Sequence, residues 1–246
     1  MSGPTTVFIL PGWLDSGPGH WQSLWASSLG DAWNVVRVEQ HDWQRPLRGD
    51  WCARLDDMVA NHLASQACGD GDQPTSDAQG RVQLPELAAV SSGTLLNKEQ
   101  TIEYPRRKSA RFSSKEPPRI ILAAHSLGCH LVAAWAAASR HTAAIQGALL
   151  VAPPDVNQAD LPPEMTNWRS PVLRPLPFAA TCAVSSNDPF CSLAAGQAMA
   201  QAWGARCVDA GALGHINTDS GIGAWPAGQA LLRALAANNT LHSTHI

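Results

Sequence analysis

The sequence has no surplus of basic residues: seventeen Lys and Arg stand against twenty Asp and Glu, a formal charge of −3. A nucleic-acid-binding face needs excess cations, so no nucleic-acid partner is expected. The one basic cluster, Arg106 to Arg111, falls in a segment of separate character. No C-x-x-C pair occurs among the six scattered cysteines, which speaks against a disulfide framework and fits reduced thiols. No His, Cys or carboxylate spacing makes a metal site, and neither metal nor cofactor is expected. No apolar run approaches the length that spans a bilayer, and the chain enters Thr6-Val7-Phe8-Ile9-Leu10 without a basic leader. A cytoplasmic protein with no membrane partner is therefore expected.

What is present is 45% hydrophobic residues in 246, enough for one globular domain with a large core. Val7 to Leu10 reads as a strand, followed by a loop from Pro11 to Gly19. Trp21, Leu24, Trp25 and Leu29 then share one face of a helix that Gly30 stops. A strand at Asn34 to Val38 precedes a helix that Asp50 can cap, with Trp51, Leu55, Met58, Val59 and Leu63 as its stripe.

Between Cys68 and Pro118 the chain loses tryptophan altogether, and polar clusters such as Gly69-Asp70-Gly71-Asp72 appear. Only Val82 to Thr94 is apolar enough for a short element. This stretch reads as a flexible insertion at 68–118 in a single domain spanning 1–246. From Arg119 alternation resumes: strand, helix Leu127 to Ser139, strand Gln146 to Val151, and a Pro-rich connection through Trp168. A strand at Ala180 to Val184, a helix Ser192 to Trp203, a strand Arg206 to Asp209 and a helix Trp225 to Ala237 follow. Six strands alternating with helices predict an α/β fold, a parallel sheet covered on both faces.

In such sheets ligands bind beyond the carboxyl ends of the strands. Ile120-Ile121-Leu122-Ala123 runs into Ala124-His125-Ser126-Leu127-Gly128 and then an apolar helix. A serine at a sharp strand-to-helix turn has its hydroxyl exposed, and the next N–H points at whatever the hydroxyl attacks. The first position is Ala124, so the strict G-x-S-x-G pattern is not met, and a serine before a helix can equally be an N-cap. The partners decide between these readings. Asp188 follows the fifth strand and His215 the sixth, giving the chain order Ser, Asp, His with each residue at the end of its own strand.

In that arrangement His215 takes the proton of Ser126, and Asp188 holds the imidazole tautomer. The loop after the first strand completes an oxyanion hole, the N–H of Trp13 or Leu14 joining that of Leu127. Asp155, behind the fourth strand, is the rival acid. Trp13, Trp168 and Phe190, with Trp43 and Phe178, are candidates to line an apolar substrate pocket. His125 and His130 read as packing supports, His20 as a residue that satisfies local backbone, and Cys129 as a small buried hydrophobe.

Four stretches in order carry a resemblance: Pro11-Gly12-Trp13 through Ser16-Gly17-Pro18-Gly19-His20-Trp21-Gln22, Ala124 to Cys129, Ser186-Asn187-Asp188-Pro189, and Gly214-His215-Ile216-Asn217. The sequence resembles the small α/β-hydrolases related to retinoblastoma-binding protein 9 and YdeN, over about residues 5–66 and 118–238. The resemblance implies a six-stranded sheet with little or no lid, hydrolysis of small esters or amides, and the roles above for Ser126, Asp188 and His215. The 68–118 insertion departs from it.

The reading is a serine hydrolase acting on a small-molecule ester, with amide or peptide cleavage as a variant. Acyl transfer on the same acyl-enzyme is an alternative. So is a catalytically silent protein-binding scaffold, although the short L-x-C-x-E peptide of retinoblastoma-pocket ligands is absent and no protein partner can be named.

Overall fold

The structure, a computed structural model, describes residues 4–68 and 120–237. The expected insertion, its apolar stretch Val82 to Thr94 and the Arg106 to Arg111 cluster lie outside the described residues. Six strands form one sheet: β1 (Thr5–Leu10), β2 (Trp33–Arg37), β3 (Ile120–His125), β4 (Ile145–Val151), β5 (Ala179–Val184) and β6 (Arg206–Asp209). Their order is β2-β1-β3-β4-β5-β6, and every neighbouring pair is parallel. Among the described residues five α-helices accompany them: α1 (Trp21–Ser28), α2 (Arg48–Cys68), α3 (Leu127–Ala136), α4 (Leu193–Ala202) and α5 (Pro226–Ala237).

The apolar runs of the central strands follow from this layering, because a strand covered on both faces has no polar side to alternate with. Strand geometry sends successive side chains to opposite faces. Phe8, Leu10, Leu122 and Ala124 enter a core with Trp51 and Leu55 of α2, Leu131 and Trp135 of α3 and Met199 of α4. Val7, Ile9, Ile121 and Ala123 enter the other with Trp21 and Trp25 of α1, Trp225, and Leu232 and Leu235 of α5. The fold is thus the three-layer α/β architecture expected from the alternation.

Buried indoles join these helices to the loops around them. A buried Trp N–H needs an acceptor, and here each acceptor belongs to a distant segment: Trp21 donates to Ile216 O (3.0 Å), Trp25 to Ala224 O (2.8 Å) and Trp203 to Val172 O (2.8 Å).

Gly30 stops α1 as expected, at φ +83, the left-handed conformation that glycine adopts without a Cβ clash. Two helix boundaries differ from expectation by more than one residue. The second helix begins at Arg48 with Asp50 inside its first turn, and the Arg48 N–H donates to Asn167 Oδ1 at 2.8 Å. The cap comes from a residue 119 positions away, which no local pattern announces. The helix after Ser126 ends at Ala136 rather than Ser139.

Candidate active site

β3 and α3 meet at Ser126, whose φ of 54° and ψ of −125° lie outside the regions open to ordinary residues. Such a backbone costs on the order of 1–3 kcal/mol and persists only where its surroundings impose it. They do so here. The Ser126 N–H donates to Val151 O at 2.8 Å, extending the β3–β4 ladder into the turn. A Cβ on Gly128 would lie 2.4 Å from Leu10 O, so the end of β1 packs directly on the first turn of α3. Ser126 makes no side-chain cap hydrogen bond to its helix, which leaves the hydroxyl for another partner.

That partner is His215. The Ser126 Oγ lies 2.9 Å from His215 Nε2, and His215 Nδ1 lies 2.9 and 3.0 Å from the two carboxylate oxygens of Asp188. With Asp188 accepting from Nδ1–H, Nε2 is the acceptor for the hydroxyl proton. The Asp188 side chain is only 3% exposed, and its Oδ1 also accepts from the Phe190 N–H at 2.9 Å. A hydroxyl, an imidazole and a carboxylate in this series can move the hydroxyl proton to the ring while the carboxylate stabilises the resulting cation. Asp155 does not reach the imidazole; its Oδ1 accepts from the Asn157 N–H at 2.9 Å and closes its own turn.

The two loops that carry the acid and the imidazole are laced to each other. Gly214 N–H donates to Asn187 Oδ1 (2.7 Å), Leu213 N–H donates to Ser185 Oγ (3.0 Å), and that hydroxyl donates to Asn187 Oδ1 (3.0 Å). Ile216, fully buried at φ +47, anchors the other side of His215. Beneath it, His125 Nε2–H donates to the His215 carbonyl at 2.8 Å. His125 is therefore a support, as expected, but its support is specific: it fixes the backbone of the imidazole residue.

His20, His125 and His215 form an edge-on series with centroids 4.6 and 4.8 Å apart, and Phe190 meets His215 edge-on at 4.7 Å. Burial and the nearby Arg37 and His215 lower the His20 pKa to about 4. Burial, reinforced by His215 and His20, holds His125 well below the ordinary range. Both inner rings are neutral at neutral pH. Cys129, buried against the Val151 carbonyl (3.4 Å), has its thiol pushed well up by burial and is no thiolate.

The loop from Pro11 to His20 approaches Ser126 from the β1 side. A Cβ on Gly12 would stand 2.7 Å from Ser126 Cβ and 3.1 Å from its Oγ, so only glycine lets this backbone come so close. The loop is held by buried Gln22, whose amide donates to both Leu10 O and Ala123 O (3.1 Å each) and whose Oε1 accepts from Ser16 Oγ (2.7 Å). Arg37 pairs with Asp15 and donates to Ser16 O at 3.0 Å. None of these tethers was foreseen from the sequence, because each joins residues whose proximity depends on strand order.

Of the expected oxyanion donors, Leu14 is corrected. Its N–H is committed to Trp43 O at 3.2 Å, and its side chain, at φ +65, stands exposed on the cleft rim. The Trp13 N–H has no hydrogen-bond partner among the described residues. The Leu127 N–H opens α3, where no intrahelical acceptor exists.

A cleft of about 410 Å³ lies over Ser126. Trp13 and Phe190 line it, and Trp168 does not. Trp168 is buried instead, its ring against Trp51 at 5.8 Å, while Met165 from the same 3-10 turn (Pro163–Trp168) faces the cleft with Leu161 and Pro162. Trp43 likewise packs edge-on against Trp51. Among the described residues, no group of His, Cys, Asp or Glu is placed to hold a metal ion, and no helix is long and apolar enough to cross a membrane.

A doubly covered parallel sheet with a strained serine at the carboxyl end of a central strand defines an α/β-hydrolase. Within that class the chain belongs to the serine hydrolase family, whose pattern it matches over residues 7–66 and 106–234. A YdeN-like hydrolase of Pectobacterium atrosepticum is similar at 22% identity, covering 95% of this chain and 91% of that one, with a TM-score of 0.61. The ydeN gene product of Bacillus subtilis is similar at 15% identity over 94% and 98%, also with a TM-score of 0.61. Esterase 2 of Thermogutta terrifontis shares the fold at 12% identity over 97% and 84%, with a TM-score of 0.57. None of the curated proteins matches the sequence.

Proposed function

We propose that this serine hydrolase cleaves small carboxylic esters through an acyl-enzyme on Ser126, with His215 as general base and acid and Asp188 as the acid partner of the imidazole. The supporting observation is the unbroken series from Ser126 Oγ through His215 to Asp188, with its hydroxyl under an open cleft. In the first half-reaction Ser126 Oγ bonds to the ester carbonyl carbon as its proton passes to His215 Nε2. The oxyanion is received by the Trp13 and Leu127 N–H groups. Collapse breaks the bond to the alcohol oxygen, which takes the proton from His215. Water then repeats the sequence on the acyl-enzyme and releases the carboxylic acid.

The apolar side of the cleft, built from Leu161, Pro162, Met165 and Phe190, suits the acyl chain. A silent scaffold has no use for a strained serine whose hydroxyl is hydrogen-bonded to a supported imidazole, since strain of this kind lowers stability. Reaction with a fluorophosphonate probe and turnover of p-nitrophenyl esters test the proposal. Ser126→Ala should abolish labelling and lower kcat by roughly 10⁶. Labelling that survives the substitution would remove the acyl-enzyme.

A further inference from the structure

Among the described residues, His20 has a buried donor with nothing to donate to. Its Nδ1 accepts from the Gln22 N–H at 3.1 Å, capping α1, so in the neutral ring the proton sits on Nε2. That Nε2–H has no hydrogen-bond partner among the described residues, although the residue is only 4% exposed. An unpaired buried donor costs about 1–3 kcal/mol, which is tolerated where a ligand completes it. The ring lines the cleft over Ser126 and meets His125 edge-on, one ring removed from His215. With Nδ1 turned toward the start of α1, Nε2–H is the polar group of the ring left without a partner among the described residues, buried in the wall of the cleft.

The surroundings of His20 say what kind of atom that is. The cleft has two unlike sides because Ser126 ends β3, which lies between β1 and β4. The β4–β5 connection supplies the apolar side. The β1–α1 loop supplies the other, joined to the segment after His215: a Cβ on Gly19 would lie 3.1 Å from Thr218, and Trp21 donates to Ile216 O. This second side presents Asp15, His20, Asn217, Thr218 and Asp219, and among the described residues no lysine or arginine lines the cleft. Arg37 neutralises Asp15, and with Asp219 beside it this side carries no excess positive charge to hold an anionic group, while a neutral N–H calls for an acceptor. The complement is an uncharged oxygen on a moiety that also carries hydroxyl donors.

We infer that His20 is a specificity-determining residue whose Nε2–H donates to an uncharged oxygen on the alcohol portion of the substrate, and that the preferred substrates are esters of polyhydric alcohols. The inference rests on the acyl-enzyme reading above and deepens it: acyl chain on the apolar side, polyol on the polar side, ester carbonyl over Ser126.

The test uses two esters of one acid with three-carbon alcohols, glyceryl monobutyrate and propyl butyrate, and reads the ratio of their kcat/KM values. The wild-type protein should favour the glyceryl ester by at least about tenfold, the worth of one neutral hydrogen bond in a desolvated site. His20→Asn keeps an oxygen at the cap position, where Asn is a preferred residue, but removes the Nε2–H. It should reduce the ratio roughly tenfold. The ratio is the readout because a displaced ring would slow both esters together. A folded His20→Asn with an unchanged ratio overturns the inference, and so does a wild-type protein without preference, a measurement that needs no variant. Ser126→Ala run alongside keeps the two claims apart: turnover that survives it would overturn the acyl-enzyme, whereas an unchanged ratio overturns the inference alone.

Discussion

The two sides of the cleft are built by opposite means. The side after β1 is a polar loop whose position is set by hydrogen bonds: Gln22 to the ends of β1 and β3, Arg37 to Asp15 and Ser16, and the His20 cap. The side after β4 is set by packing, with Met165 and Trp168 of one 3-10 turn buried and Leu161 beside them. Each side also rests on a neutral buried histidine. His125 donates to the carbonyl of His215, and His130 Nε2–H donates to Pro154 O at 2.8 Å. Under the proposed mechanism a directional scaffold suits the side that aims N–H groups at an oxyanion, whereas a packed one suits a side that excludes water.

The sharpest test separates the two aspartates that follow β4 and β5. Asp188→Asn keeps the shape but offers a donor to His215 Nδ1, which forces the wrong tautomer, and kcat should fall by about 10⁴. Asp155→Asn should stay within about tenfold of the wild type, because its carboxylate contacts its own turn and not the imidazole. The reverse ranking, with both variants folded by circular dichroism, would move the acid to the β4 side.

Next in size is the approach of the polar loop to the serine. Gly12→Ala places a methyl 2.7 Å from Ser126 Cβ, and either the loop or the serine must shift. A displacement of about 1 Å at reacting groups costs about 10² in rate. We expect that loss in kcat/KM with an unchanged circular dichroism spectrum; full activity would show that the loop does not serve the reaction.

The smallest effect probes two buried histidines, His20 on the polar side and His130 beneath the packed side. The folded-state pKa values of His20 and His130 are both lowered to about 4, chiefly by burial, below the unfolded value of about 6.5. The unfolded chain therefore binds more protons between those values, so stability is full above about pH 6.5 and is lost as pH falls toward 4. His130→Gln should flatten that loss by up to about 1.4 kcal/mol per pH unit, read from denaturant melts at several pH values. An unchanged slope would mean that His130 is not held neutral.

Much of this was legible in the residues themselves. The apolar runs Val7 to Leu10 and Ile120 to Ala124 demand a doubly covered sheet, Gly30 ends a helix, and Ser126 sits where a strand turns sharply into a helix. The order Ser126, Asp188, His215, each just beyond a strand, then places all three along one edge of a parallel sheet. These are consequences of local backbone preference and periodicity, and both are written in neighbouring residues.

The tertiary structure decided the rest. Whether Trp13 or Leu14 keeps a free N–H depends on a carbonyl at Trp43, which strand order brings alongside. Whether Trp168 or Met165 meets the cleft depends on Trp51 of α2, which receives the larger ring. Asn167 caps α2 from the far side of the chain, and Gln22 bridges β1 to β3. Residue pattern sets which groups are buried; which acceptor a buried donor finds, or fails to find as at His20 Nε2, is set by elements that meet only when the sheet has formed.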